Sequence, residues 1–202
     1  MNENNNIEPN AQNIKKVKVK KQLKNFWDLI SFAIIALIIV IPIRLWIAQP
    51  FVVSGDSMFP TFHDKEYLIV DELSYILDKE NRGDVVIFKY PNDPKRYFIK
   101  RIIGMPNEEI NIKNGIVTIF NSHNPSGFVL DEPYIRENFF ANGTYKTSDN
   151  EYFVMGDNRN RSSDSRVWGN VPKKLVVGRA FLRLIPVSTI SYLPGSLKSF
   201  NE

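Results

Sequence analysis

A mainly β, antiparallel fold preceded by one N-terminal transmembrane helix is the architecture this sequence predicts, and three observations predict it. Short apolar stretches of strand composition recur between Tyr67 and Pro186, each bounded by turn residues. No helical stretch alternates with them, as a parallel βαβ sheet would require, and no internal repeat is present. A single long uncharged run, Leu29 to Ile43, stands near the N-terminus. The 202 residues leave room for one domain of ordinary size plus an appendage. A hydrophobic content of 43% against 24% charged residues fits a globular chain, and 12 prolines with 10 glycines imply many turns.

Residues 1–25 read as a basic tail. The net charge of +4 is concentrated there, on Lys15, Lys16, Lys18, Lys20, Lys21 and Lys24. Such a run commonly marks a nucleic-acid arm, but directly ahead of an apolar segment it reads as the cytoplasmic flank of an anchor, with no nucleic-acid partner. The anchor is assigned to residues 26–50. Its uncharged core, "LISFAIIALIIVIPI", has 15 residues, short of the roughly 20 that span a bilayer. Phe26, Trp27 and Trp46 suit the interfaces and Arg44 can snorkel, so a span of about residues 26 to 48 is expected, kinked at Pro42. A buried soluble helix would need a polar face, which Phe32 to Ile41 lacks. A cleaved signal peptide would need an Ala-x-Ala exit, where Trp46 and Pro50 stand instead. The lysines place the N-terminus in the cytoplasm and residues 51–202 on the outer side of the cytoplasmic membrane.

In the body, "YLIV" (67–70), "DVVIFKY" (84–90), "YFIKRII" (97–103), "EYFVMG" (151–156) and "VVGRAFLRLIP" (176–186) have strand composition. In "INIKNGIVTI" (110–119), Asn114-Gly115 between alternating apolar residues signals a hairpin. Helical turns are expected after Ser57 and from Leu73 to Leu77. The stretch 121–150 reads as an irregular excursion, rich in Asn, Ser, Gly and Pro.

Three stretches carry chemistry. In an extended "YFIKRIIGMP", Phe98, Lys100 and Ile102 share one face and Ile99, Arg101 and Ile103 the other. Lys100 then either snorkels to water or is desolvated, in which case its pKa falls and the neutral amine can take a proton. Arg101 cannot do this, because guanidinium holds its proton. "VSGDSMFPT" puts Ser57 on a tight turn that can expose a hydroxyl. The absence of cysteine excludes thiol catalysis, disulfides and Cys-ligated zinc. The two histidines, His63 and His123, fall in polar stretches, so a Ser–Lys pair is the economical alternative to a histidine triad. "GDNRNRSSDSRVWG" (156–169) reads either as a solvated loop in which Asp164 and Arg166 pair, or as the support of a buried lysine.

"SGDSMFPT", "YFIKRIIGMP" and "GDNRNRSSDSR", in that order behind an anchor, together resemble the signature blocks of bacterial type I signal peptidases in their short, single-anchor form, and "RGDVVIFKYP" (82–91) resembles a fourth. The resemblance covers roughly residues 51–186. It implies removal of signal peptides from exported preproteins by an antiparallel β catalytic core with a smaller β insertion, near 104–152, and no metal or other cofactor. It also implies Ser57 as nucleophile, its backbone N–H as an oxyanion donor, and Lys100 as general base. Ser162 would orient the lysine, with Asp164 and Arg166 as a supporting pair. Val53, Met58, Phe98 and Ile99 would line pockets for Ala-like side chains one and three residues before the cut.

Two positions depart from the pattern. Gly55 stands where some members carry a serine that completes the oxyanion hole. Asn107 stands in "GMPNE" where the family has glycine, and asparagine tolerates the left-handed conformation. Two rivals share parts of the pattern: a self-cleaving Ser–Lys protease of the repressor type, which the anchor and "GDN" block disfavour, and a silent anchored module that binds extended peptides.

Overall fold

The computed structural model describes residues 26–38, 40, 48–72 and 80–197. The chain divides into two units, residues 1–45 and 46–202. In the first, residues 26–38 are helical. Their large apolar side chains, among them Phe26, Trp27, Phe32, Ile35 and Ile38, are exposed. Among the described residues no helix is long and apolar enough to cross a membrane. The basic tail, Pro42, Arg44, Trp46 and the turn expected from Leu73 to Leu77 lie outside the described residues.

The second unit is built of antiparallel strands, for which its β-branched and aromatic stretches are suited. In chain order they are β1 (Ala48–Val52), β2 (Tyr67–Asp71), β3 (Val85–Tyr90), β4 (Asp93–Gly104), β5 (Glu109–Lys113) and β6 (Ile116–Phe120). Then follow β7 (Phe128–Val129), β8 (Gly143–Lys146), β9 (Glu151–Met155), β10 (Val171–Pro172), β11 (Val176–Ile185) and β12 (Ser191–Tyr192). One sheet has the order β1-β2-β11-β3-β4-β9-β10, with β12 on β11, and the other the order β7-β6-β5-β8. Strand β1 is a correction to the anchor boundary: Ala48 to Pro50, assigned to the membrane segment, pair with Asp71 to Ile69 instead. "AQPFV" merely prolongs the apolar run in sequence, so nothing local separates the two.

β3 shows why the first sheet holds. It lies between β11 and β4, so both of its edges are paired, and Val85 to Phe88 are all buried, so both of its faces are covered. Val85 and Ile87 join Val53, Met58, Phe62, Leu68 and Val70 on one side. Val86 and Phe88 join Ile102, Tyr152 and Val154 on the other. In the second sheet Ile110, Ile112, Val117 and Ile119 point inward at period two and share a core with Ile103, Phe153 and Met155 of the first. Asn114 (φ 50°) and Gly115 (φ 82°) close the β5–β6 hairpin with both central residues left-handed, the geometry of a type I′ turn. Asn107 adopts φ 62°. β9 pairs with β4 only from Arg101 to Gly104, whereas β3 pairs with it back to Asp93. Among the described strands, the edge of β4 before Arg101 is therefore open.

Candidate active site

Ser57 stands in the turn that follows β1. Gly55 has φ 84°, a conformation glycine adopts without strain, and its N–H donates to Asp64 Oδ1 at 2.8 Å. The N–H of Phe59 donates to the Asp56 carbonyl at 3.1 Å and that of Phe62 to the Met58 carbonyl at 2.9 Å. The helical turn expected after Ser57 is thus present as two overlapping hydrogen-bonded turns, Asp56 to Phe59 and Met58 to Phe62. It leaves the serine half-buried and sends Met58 inward.

Lys100 does not snorkel. The residue is 4% exposed, and Nζ donates to Ser57 Oγ at 2.7 Å and to the Ile99 carbonyl at 2.9 Å. Burial lowers the amine from 10.5 to about 8, against the Asp164 and Asp157 carboxylates, which favour the charged form. A serine hydroxyl thus lies in hydrogen-bond contact with an amine whose proton burial has loosened, an arrangement through which a proton can pass.

Both groups open on a groove of about 480 Å³. Phe51, Val52, Val53 and Ser54 line it from the segment before Ser57, and Arg96, Tyr97, Phe98 and Ile99 from β4, with Leu68, Ile87 and Ser163 completing it. Of the residues expected from sequence, Ser57, Lys100, Val53, Phe98 and Ile99 meet here. Met58 does not: it is fully enclosed and packs with Val53, Phe62 and Leu68. Ser162 makes no hydrogen bond to the lysine, whose second bond goes to the Ile99 carbonyl. Among the described residues its Oγ is buried without a hydrogen-bond partner and lies against Gly156.

Asp164 and Arg166 pair, Nε to Oδ1 and Nη2 to Oδ2, both at 2.8 Å. Asp164 also caps a helical turn, Ser165–Trp168, and accepts the Gly156 N–H at 3.1 Å. Gly156 itself faces the Ser57 carbonyl and Ser162 Oγ so closely that no side chain fits there.

Sequence reasoning missed the chief support of the site. Arg101 is completely buried and pairs with Asp157, Nε to Oδ1 at 2.8 Å and Nη2 to Oδ2 at 2.6 Å. Its Nη1 donates to the carbonyls of Gly83 at 2.8 Å and Gly195 at 2.6 Å. Thr61 Oγ1 donates to Asp157 Oδ2. Strand alternation put Arg101 on the opposite face from Lys100, and Asp157, the acid that follows the apolar "YFVM" in "YFVMGDN", was the available signal for its partner. Tyr134 packs its ring 4.0 Å from the Arg101 guanidinium and donates to Glu132 Oε1 at 2.7 Å. Glu132 in turn accepts from Arg159. Nothing in the irregular stretch 121–150 announced either residue.

The family model described as "Signal peptidase, peptidase S26" matches residues 26–185. The chain is 37% identical over 178 residues to the "Probable signal peptidase I-2" of Synechocystis sp., covering 84% of this chain and 78% of that one. It is 36% identical over 158 residues to the "Signal peptidase I S" of Bacillus subtilis (strain 168), covering 72% and 81% respectively. Against the "Signal peptidase I" of Leptolyngbya laminosa it is 33% identical over 168 residues, covering 79% of each.

Proposed function

Because this chain belongs to the signal peptidase family, peptidase S26, and is a serine endopeptidase of the kind that removes signal peptides, we propose that it cuts by a Ser57–Lys100 dyad at the outer face of the cytoplasmic membrane. The observation that carries the reading is the 2.7 Å contact between Lys100 Nζ and Ser57 Oγ, made by a lysine that water barely reaches.

Above about pH 8 the Lys100 amine is neutral and its lone pair can accept the Ser57 proton. Ser57 Oγ then attacks the scissile carbonyl, and the Ser57 backbone N–H faces the oxyanion. The lysine returns the proton to the leaving amine, an acyl-enzyme remains, and the same amine activates water to release it. Asp164 and Arg166 hold the loop against the dyad. Val53, Phe98 and Ile99 shape the pockets for Ala-like side chains before the cut, with Met58 behind them. The signal peptide adds as an extended strand to the open edge of β4, where backbone hydrogen bonds bind it and the pockets select it.

The anchored topology is supported by the exposed apolar side chains of the helix 26–38 and by the lysines that precede it in sequence. Enzyme and preprotein confined to one bilayer meet at a raised effective concentration, so weak pocket affinity suffices.

The test is cleavage of a preprotein bearing an Ala-x-Ala site by the full chain in non-ionic detergent micelles. Ser57→Ala, Lys100→Met and Lys100→Arg are each expected to lose about a thousandfold or more of the rate. Cleavage by Lys100→Met at the wild-type rate would sink the dyad while leaving the family membership intact.

A further inference from the structure

We propose that Arg96 is a specificity-determining residue, which selects for a carboxylate and against a cation on the extended peptide about four to six residues before the cut. The inference rests on the dyad reading above.

Among the described residues, Arg96 and Lys100 are the only charged ones lining the groove, and no carboxylate lines it. Arg96 belongs to β4, four residues before Lys100, and side chains four apart on a strand share a face. At about 3.3 Å per residue this places it roughly 13 Å along the strand from the lysine. Between them β4 presents the edge that β9 leaves open. A peptide added to that edge advances at the same rise, so the residue beside Arg96 lies about four positions from the one whose carbonyl meets Ser57. The spread to six allows for the reach of the arginine side chain. The groove takes the segment before the cut, because that segment carries the small side chains the pockets accept.

The guanidinium is held by an aromatic shelf. It lies 5.3 Å from the Phe98 ring centroid and 6.0 Å from that of Tyr90. Those two rings stack at 4.6 Å, and Trp168 packs 6.4 Å from Phe98 and 5.6 Å from Tyr90. A cation spread over rings loses little further freedom on meeting an anion, while its hydrogen-bond donors stay available for one. Among the described residues no carboxylate pairs with Arg96, so an incoming acid displaces no partner.

The test compares peptides with one Ala-x-Ala site and either Asp or Lys at the fourth, fifth or sixth residue before the cut. The full chain, Arg96→Gln and Arg96→Glu are assayed in non-ionic detergent at low salt, each enzyme judged by its own Asp-to-Lys ratio of kcat/KM. For one solvent-facing ion pair the wild-type ratio is expected at about three to five at the best position. It should fall to about one in Arg96→Gln, invert in Arg96→Glu, and collapse in molar salt. The same ratio in all three enzymes overturns the role of Arg96 and leaves the peptidase reading standing. Failure of all three to cut any peptide overturns both.

Discussion

At the scale of single residues, the site is a buried cation kept where its proton is weakly held. The unfolded lysine titrates near 10.5 and the folded one at about 8. Between those values the unfolded chain binds a proton that the folded chain has lost, so stability rises with pH across that window. Below about 8 the buried ammonium burdens the fold. Lys100→Met is therefore expected to raise the melting temperature at pH 7, and the gain should shrink when unfolding is followed at pH 10. An equal gain at both pH values would mean that packing, not charge, sets the difference. Gly156→Ala is a second test at this scale. A methyl group there overlaps the Ser57 carbonyl and the Ser162 hydroxyl, so loss of cleavage should exceed loss of stability, measured as kcat against urea midpoint. That Ser57 and Lys100 would meet was legible in sequence, because a serine on a tight turn and a lysine within an apolar strand have few chemistries open to them. The partners of Arg101 were not, since a strand's alternation says which face a side chain takes and nothing of which loop will meet it.

At the scale of elements, Arg101 ties β4 to four other segments, through Asp157, Thr61, Gly83 and Gly195. Thr61 follows the turn that carries Ser57, and Asp157 precedes Asn158, whose N–H donates to the Ser57 carbonyl, so one guanidinium fastens that turn, the "GDN" loop and the C-terminal segment at Gly195. Asp157→Asn leaves that buried cation without its counter-charge and should cost about 3–5 kcal/mol in urea unfolding. Tyr134→Phe keeps the ring over Arg101 and removes the hydroxyl that donates to Glu132 and accepts a long hydrogen bond from Arg159, so about 1 kcal/mol is expected. A loss for Asp157→Asn no larger than that of Tyr134→Phe would show that the pair is not the fastener. The legible elements were those with a local signature: the Asn114-Gly115 hairpin declares its own turn, and the strand-rich blocks declare their period. β1 has neither, because "AQPFV" continues an apolar run and is made a strand only by its partner β2.

At the scale of the whole molecule, the catalytic unit and the N-terminal segment are expected to separate in function. The first sheet begins at Ala48, so a chain starting at Ile47 removes none of its strands. It should keep the β-rich circular dichroism and cut a soluble Ala-x-Ala peptide. In liposomes it should lose most of its rate on an inserted preprotein, since effective concentration falls once the two no longer share a bilayer. Equal rates on the inserted preprotein with and without residues 1–46 would contradict an anchoring role. Overall class was visible in sequence because strands without alternating helices admit few layouts; the strand order was not, because pairing β11 between β2 and β3 is decided by burial over long separations. The most direct measurement on the dyad is the pH dependence of kcat/KM for a soluble peptide, from pH 6 to 11, with the full chain. A rate that rises through about pH 8 and then levels is the signature of a desolvated lysine base. A rate that climbs only toward about 10.4, where an ordinary lysine titrates, would contradict it.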